Sequence, residues 1–205
     1  MTAPIDPITR WDERYSERDY LWDVGPNQFV ERLLADATPG TAIDLAAGEG
    51  RNAAWLAGQG WSVTAVDFSQ VGLDKAARLA ADHDVVDRID LVKADALRWE
   101  PSEPVDLVVI AYLQLPSEQV RIALEHAASW LRPGGRLLVV AHDRTNVDHG
   151  HGGPSDTDHC YDLDETVVTL ADLEVETAEV AERHVETEEG SRTALDTLVV
   201  ARRPA

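Results

Sequence analysis

The sequence predicts an α/β protein: a doubly wound, mostly parallel seven-stranded sheet with a C-terminal antiparallel hairpin and helices on both faces. Three observations predict it. Strand-like and helix-like runs alternate from residue 41 to residue 142, which implies right-handed crossovers and parallel strands. The first strand runs through a glycine loop into a helix, "AIDLAAGEGRNAAWLA" at residues 42–57, a form that holds nucleotides. The last two strands are joined by "ETEEGS", too short for a crossover helix, so they pair antiparallel.

The elements follow in order. "ITRWDERYSERDY" and "GPNQFVERLLADA" read as helices, the second with Pro26 as its first-turn proline and with Phe29, Val30, Leu33, Leu34 and Ala37 at helical spacing. "TPG" breaks the chain. "TAIDLAA" is a strand and "RNAAWLAGQG" a helix stopped by glycine. "WSVTAVDF" is a strand, "SQVGLDKAARLAADH" a helix with Ser69 as N-cap, and "RIDLVKAD" a strand. "PVDLVVIAYLQL" is apolar without alternation, as a strand covered on both faces would be. "SEQVRIALEHAASWL" is a helix capped by Ser117, "RPGG" a turn and "RLLVVAHD" the fifth strand. "LDETVVTLADL" is a short helix before the hairpin strands "EVETAEVAERHV" and "RTALDTLVVARR".

Length and composition suit one domain over residues 1–205, with 44% hydrophobic residues to build a core. The N-terminus, "MTAPIDPITRWDERY", has neither a basic start nor an apolar stretch, so it is not a secretory signal. No apolar run reaches the roughly 18 residues of a membrane span. The single cysteine, Cys160, excludes an internal disulfide framework and suits a reducing compartment, so a cytoplasmic location is expected. The formal charge of -20 repels polyanions, which excludes tight nucleic-acid or acidic-membrane binding. From Asp162 to Glu189 eleven acidic residues face one basic residue, Arg183, and read as a solvated face.

Within the glycine loop, Gly48-x-Gly50-x-x-Ala53 fits the dinucleotide fingerprint, and Asp67 follows Gly50 by 17 residues, near the spacing of a ribose-binding acid. A nicotinamide-dependent oxidoreductase is therefore one reading. Asp44 argues against it. It lies just before the loop, where a carboxylate would repel a pyrophosphate and favour a cation; its plainer reading is a cap for the next helix.

Taken in order, "AIDLAAGEGRN", "VTAVDFS", "KADA", "VDLVVIAYLQL" and "LRPGGRLLVV" resemble the motifs of the class I S-adenosylmethionine-dependent methyltransferases, most nearly the small bacterial tellurite-resistance and thiopurine type. The resemblance covers about Trp11 to Arg202. It implies S-adenosyl-L-methionine as cofactor, with Asp44, Gly48 and Gly50 at its methionine end. It implies Asp67 on the ribose hydroxyls, Phe68 on the adenine face, Asp95 and Ala96 at the adenine amino group and Ala111 near the sulfonium. Ala46 replaces the family's usual first glycine, and alanine is expected to hold a negative φ there. By the same likeness residues 1–40 form a helical cap over the cofactor. Arg14 or Tyr15 is then placed to reach the methionine carboxylate, and Trp22 and Asn27 to roof the cofactor. Helix packing is the equal alternative for each.

Methyl transfer is an in-line displacement that requires alignment and the exclusion of water. His142, at the carboxyl end of the fifth strand, is the candidate base or substrate-orienting residue, and Tyr112 and Gln114 are candidates to line the acceptor site. His149, His151 and His159 with Asp148, Asp156, Asp158 and Cys160 have the composition of a metal site, but their spacing matches no zinc pattern, so no metal is expected. The segment 143–161 reads instead as a mobile, glycine-rich lid. "IAYLQL" lacks the Asn/Asp-Pro-Pro-aromatic signature of base-modifying enzymes. A small-molecule substrate is therefore expected, with no nucleic-acid or membrane partner and a monomer or homodimer as the assembly. A non-catalytic sensor of the same cofactor is the remaining alternative.

Overall fold

The computed structural model describes residues 6–187 and 190–205. The acidic pair Glu188 and Glu189 of the predicted hairpin connection, and the first five residues of the N-terminus, lie outside the described residues. The sheet has seven strands in the order β3-β2-β1-β4-β5-β7-β6, the class the sequence predicts. The chain divides into two compact units, Met1–Trp99 and Glu100–Ala205.

The first unit holds helices α1 (Pro7–Ser16) and α2 (Gln28–Leu34), then strand β1 (Thr41–Leu45), helix α3 (Arg51–Gly58), strand β2 (Ser62–Asp67), helix α4 (Gln70–Asp82) and strand β3 (Ile89–Lys93). Its three strands are parallel, with Leu45 opposite Val66 and Asp67 opposite Lys93. Ile43, Leu45, Leu56, Ala65 and Val66 are fully buried between sheet and helices, each larger side chain contributing roughly 1.5–3 kcal/mol of burial. Ser69 caps α4 as predicted, its hydroxyl taking the Gly72 N–H. Pro26 is not in the first turn of α2; Asn27 is the N-cap, and its side chain accepts the N–H groups of Phe29 and Val30. The first-turn proline is Pro7 of α1 instead.

The second unit holds strand β4 (Val105–Ala111), helix α5 (Ser117–Ser129), strand β5 (Leu131–His142), the short helix α6 (Asn146–His149), helix α7 (Leu163–Thr169) and the hairpin strands β6 (Glu174–Thr187) and β7 (Gly190–Arg202). β4 and β5 are parallel; β5 with β7, and β7 with β6, are antiparallel. Leu107–Ile110, Leu137–Val140 and Leu198–Val199 are fully buried, which explains the unbroken apolar runs. β4 ends earlier than its apolar run suggests because Tyr112 turns to φ +60. Ser117 is the first residue of α5 and not its cap, which is Pro116; the Ser117 N–H and hydroxyl both donate to Asp158. Among the described residues no helix is long and apolar enough to cross a membrane.

Candidate functional site

In the first unit the candidate residues gather where β1 and β2 end. Asp44 is fully buried, and its Oδ2 accepts the Ala53 N–H at 3.0 Å, so the carboxylate serves the first turn of α3. Burial pushes its carboxyl up to about 7, against the pull of the Ala53 N–H and Arg51 and with a further push from Asp67. Ala46 does not keep a negative φ: it sits at +61, a left-handed alanine. The turn imposes this conformation. The Ala47 N–H reaches back to the Val66 carbonyl, and the Gly50 N–H closes on the Ala47 carbonyl at 2.9 Å, so the chain reverses within a few residues. Gly50 itself is left-handed, and a Cβ there would lie 2.5 Å from that of Ala76. Glycine at this position is what lets α3 start against α4.

Asp67 closes the loop from the other side. Its Oδ2 accepts the Gly48 N–H and its Oδ1 the Ser69 N–H, both at 2.8 Å. Burial raises its pKa, while those two N–H groups pull it down. Each carboxylate oxygen has a second lone pair, so these bonds do not exhaust its acceptor capacity. Phe68 beside it is half-buried. Asp95 is exposed and forms a local turn, its Oδ1 on the Leu97 N–H at 2.9 Å and its Oδ2 3.6 Å from Arg98; Ala96 is buried beneath it.

The N-terminal segment lies over this loop. The Tyr15 hydroxyl stands where a Cβ on Gly48 would be, and burial, then the charges of Asp67 and Glu49, push its phenol well above the usual range. The Arg14 guanidinium stacks on Trp11 at 5.0 Å and on the exposed Trp22 at 5.4 Å. Asn27 is buried as the α2 cap, and its backbone N–H donates to Asn52. Two residues hold this segment in place and were not among the candidates. Glu49 accepts the N–H groups of Leu21 and Trp22, and Lys75, paired with it at 2.8 Å, donates to the carbonyls of Tyr15 and Arg18. The signal in the sequence was a lysine on the apolar face of α4, in register with Gly72, Ala76 and Leu79.

The second unit gathers Tyr112 and His142 around a residue that no motif marked. Asp196 is fully buried on β7, directly opposite His142 in the antiparallel register with β5. Its Oδ2 accepts the Tyr112 hydroxyl and the Arg183 Nε, both at 2.7 Å. Its Oδ1 stands 3.2 Å from His142 Nδ1, and neither atom has another hydrogen-bond partner. Burial alone would raise the Asp196 pKa; the donors on His142, Arg183 and Tyr112 outweigh it and hold the carboxyl below its ordinary value. Ala111, half-buried, precedes this group at the end of β4, and Gln114 beyond it is half-buried too.

The segment 143–161 is anchored at both ends. Asp143 bridges to Tyr161 and accepts from Thr197, Asn146 holds the Gly152 carbonyl and the Leu195 N–H, and Tyr161 donates to the Leu113 carbonyl. His151 and Asp156 lie in its exposed middle. A cavity of about 420 Å³ between α5 and α7 is lined by Arg144, Tyr161 and Glu165, but the Arg144 guanidinium is already taken by Glu165 and Asp162.

Residues 42–135 match the family model described as a methyltransferase domain. The chain is 34% identical over 145 residues to demethylmenaquinone methyltransferase of Clavibacter sepedonicus, covering 68% of this chain and 56% of that protein. It is 30% identical over 146 residues to thiopurine S-methyltransferase of Vibrio cholerae, covering 63% of this chain and 66% of that protein. The chain thus spans less than two thirds of the length of these relatives. The fold is shared with the N-methyltransferase NodS from Bradyrhizobium japonicum WM9, solved in complex with S-adenosyl-L-homocysteine, with a TM-score of 0.74 at 18% identity over 98% of this chain and 100% of that one.

Proposed function

The chain belongs to the class I S-adenosylmethionine-dependent methyltransferases, and from that premise we propose that it transfers the cofactor's methyl group to a small-molecule nucleophile at sulfur, oxygen, nitrogen or a chalcogen oxyanion. The observation that carries the reading is the pair of buried carboxylates, Asp44 and Asp67, at the two strand ends that flank the glycine loop. Such a loop disfavours the pyrophosphate of a dinucleotide and favours a ligand bearing an ammonium and a sulfonium. The donor set therefore fits S-adenosylmethionine, which when bound supplies an activated methyl group on a positively charged sulfur.

The chain's own residues then bind and orient. Asp67 holds the ribose hydroxyls with its remaining lone pairs, and Phe68 packs beside the adenine. Asp44 faces the cationic methionine end. Arg14, stacked on two tryptophans and so held in one orientation, takes the methionine carboxylate. Residues 6–40 are the cap over this loop, with Tyr15 on its inner side against Gly48 and Trp22 at its outer edge, and the whole chain acts as one methyltransferase domain. A small acceptor is supported by the -20 charge, which repels nucleic acid, and by the names of the two relatives, both of which act on small molecules.

Calorimetry tests the reading. S-adenosylmethionine and S-adenosylhomocysteine should bind in the micromolar range, and NADH should not compete. Asp67→Ala should weaken binding by roughly 1.5–3 kcal/mol. Displacement by NADH, or unchanged affinity in Asp67→Ala, would refute the assignment.

A further inference from the structure

We propose that Asp196 is a positioning residue for His142, and that the pair accepts a proton from the methyl acceptor, which makes the acceptor a small molecule whose nucleophilic atom carries an S–H or O–H. The inference rests on the methyltransferase reading and deepens it by naming the class of acceptor.

The register of the sheet builds the pair. His142 ends β5, and Asp196 on β7 is its direct partner across an antiparallel ladder, so the two side chains leave the same face. Asp196 pairs with Ala181 on its other side, which sets Arg183 on the diagonal, within reach of Oδ2. Tyr112, held at φ +60 just past β4, brings its hydroxyl to the same oxygen. Strained backbone of this kind concentrates at functional sites. Oδ2 is thereby saturated with donors, while Oδ1 and His142 Nδ1 are both buried, have no other partner and face each other at 3.2 Å. No described residue bonds His142 Nε2, so Nε2 is the ring nitrogen left for a substrate.

The surroundings fix the ring itself. The Tyr112 ring lies 4.9 Å from it, and Gly153 packs against it so closely that a Cβ there would fall 2.6 Å from its Cδ2. An imidazole confined in this way, next to one anionic oxygen, carries its proton on Nδ1 and its lone pair on Nε2. The charged groups that face it are Asp196 from β7 and Arg183 from β6, with the Tyr112 hydroxyl from the end of β4. A nucleophile that arrives already ionised, such as a halide, has no use for this arrangement; a thiol or hydroxyl does.

The step balances. His142 Nε2 takes the proton of the acceptor's X–H while the X lone pair forms a bond to the methyl carbon. The carbon–sulfur bond breaks, with its electron pair going to sulfur. The imidazolium, stabilised by Asp196, afterwards releases its proton to water.

The test is the tautomer of His142, read by long-range 1H–15N correlation on the labelled full chain, with His142→Ala to assign the signal. The expected result is Nδ1–H in the wild type and loss of that preference in D196N; an Nε2–H tautomer in the wild type overturns the proposal. Should D196N fail to fold, D196N combined with Arg183→Met removes the stranded charge and gives the same comparison. In parallel, methyl transfer is measured to 2-mercaptoethanol, whose thiol stays protonated at neutral pH, to phenol and to iodide. H142A and D196N should lose a hundredfold or more in kcat on the first two and much less on iodide, with cofactor affinity preserved. Equal losses on iodide overturn the base role. Failure of the wild type to bind S-adenosylmethionine would instead strike the methyltransferase reading, while the tautomer still reports on the pair.

Discussion

Lys75 and Glu49 form a buried ion pair at 2.8 Å, and each end of the pair also holds backbone of the N-terminal segment: Glu49 the N–H groups of Leu21 and Trp22, Lys75 the carbonyls of Tyr15 and Arg18. Glu49 belongs to the glycine loop and Lys75 to α4, so one pair of charges joins the loop, the helix behind it and the segment above it. Removing one partner leaves the other's charge buried without a counter-charge, which costs about 3–5 kcal/mol. Glu49→Ala should therefore destabilise by that amount in urea denaturation and speed amide exchange over residues 15–22. Glu49→Leu with Lys75→Met should recover only part of the loss in stability: neither charge is then stranded, but the Leu21 and Trp22 N–H groups and the Tyr15 and Arg18 carbonyls lose their partners. A single-variant loss below about 1 kcal/mol would mean that the pair is not what holds the segment.

Ala46 at φ +61 carries the strain of a left-handed alanine, roughly 1–2 kcal/mol. Ala46→Gly relieves it but adds freedom to the unfolded chain, an offset of roughly 0.4–1 kcal/mol. The net expectation is a gain of about 0.5–1 kcal/mol, or about 2–4 °C in Tm for each kcal/mol at this chain length. Ala46→Val, β-branched at the same φ, should lower Tm. A glycine variant less stable than the wild type would show that the Ala46 methyl packs usefully and that its strain is small.

The strand and helix order was legible because it depends on local periodicity: the unbroken apolar run at Leu107–Ile110 and the Ser69 cap needed only their neighbours in sequence. The first-turn proline read at Pro26 and the cap read at Ser117 were displaced by one or two residues, since a helix start depends on where the chain actually turns. Asp44, Asp95 and Asn27, read as cofactor contacts, each satisfy a nearby backbone N–H, a local demand that a ligand-based reading passes over. Asp196 was not legible. It stands in the apolar run "TALDTLVVA", and only the register of β5 with β7 shows that His142 lies opposite it. A lone acid in a buried strand was the available signal, because such a group requires partners.

Asp44 gives the last prediction, on pH. Its carboxyl is pushed up to about 7 in the folded chain from an ordinary value near 3.8, chiefly by burial. The folded state therefore keeps a proton that the unfolded state has lost between about pH 4 and 7, so this group's contribution to stability is complete below pH 4 and declines as pH rises to 7, by roughly 4 kcal/mol if nothing compensates. A cation bound beside Asp44 reverses the preference by favouring the carboxylate. Binding of S-adenosylmethionine below pH 7 should then expel a proton. Affinity should rise by up to about tenfold per unit between pH 5.5 and 7, and stabilisation by the cofactor should be larger at pH 7 than at pH 5.5. Calorimetry in two buffers of different ionisation enthalpy counts the released proton directly. Asp44→Asn, which has no proton to lose, should flatten the profile and abolish the release. Affinity independent of pH in the wild type, with no proton released, would place the cofactor's charge away from Asp44 and leave that residue as the anchor of the α3 helix alone.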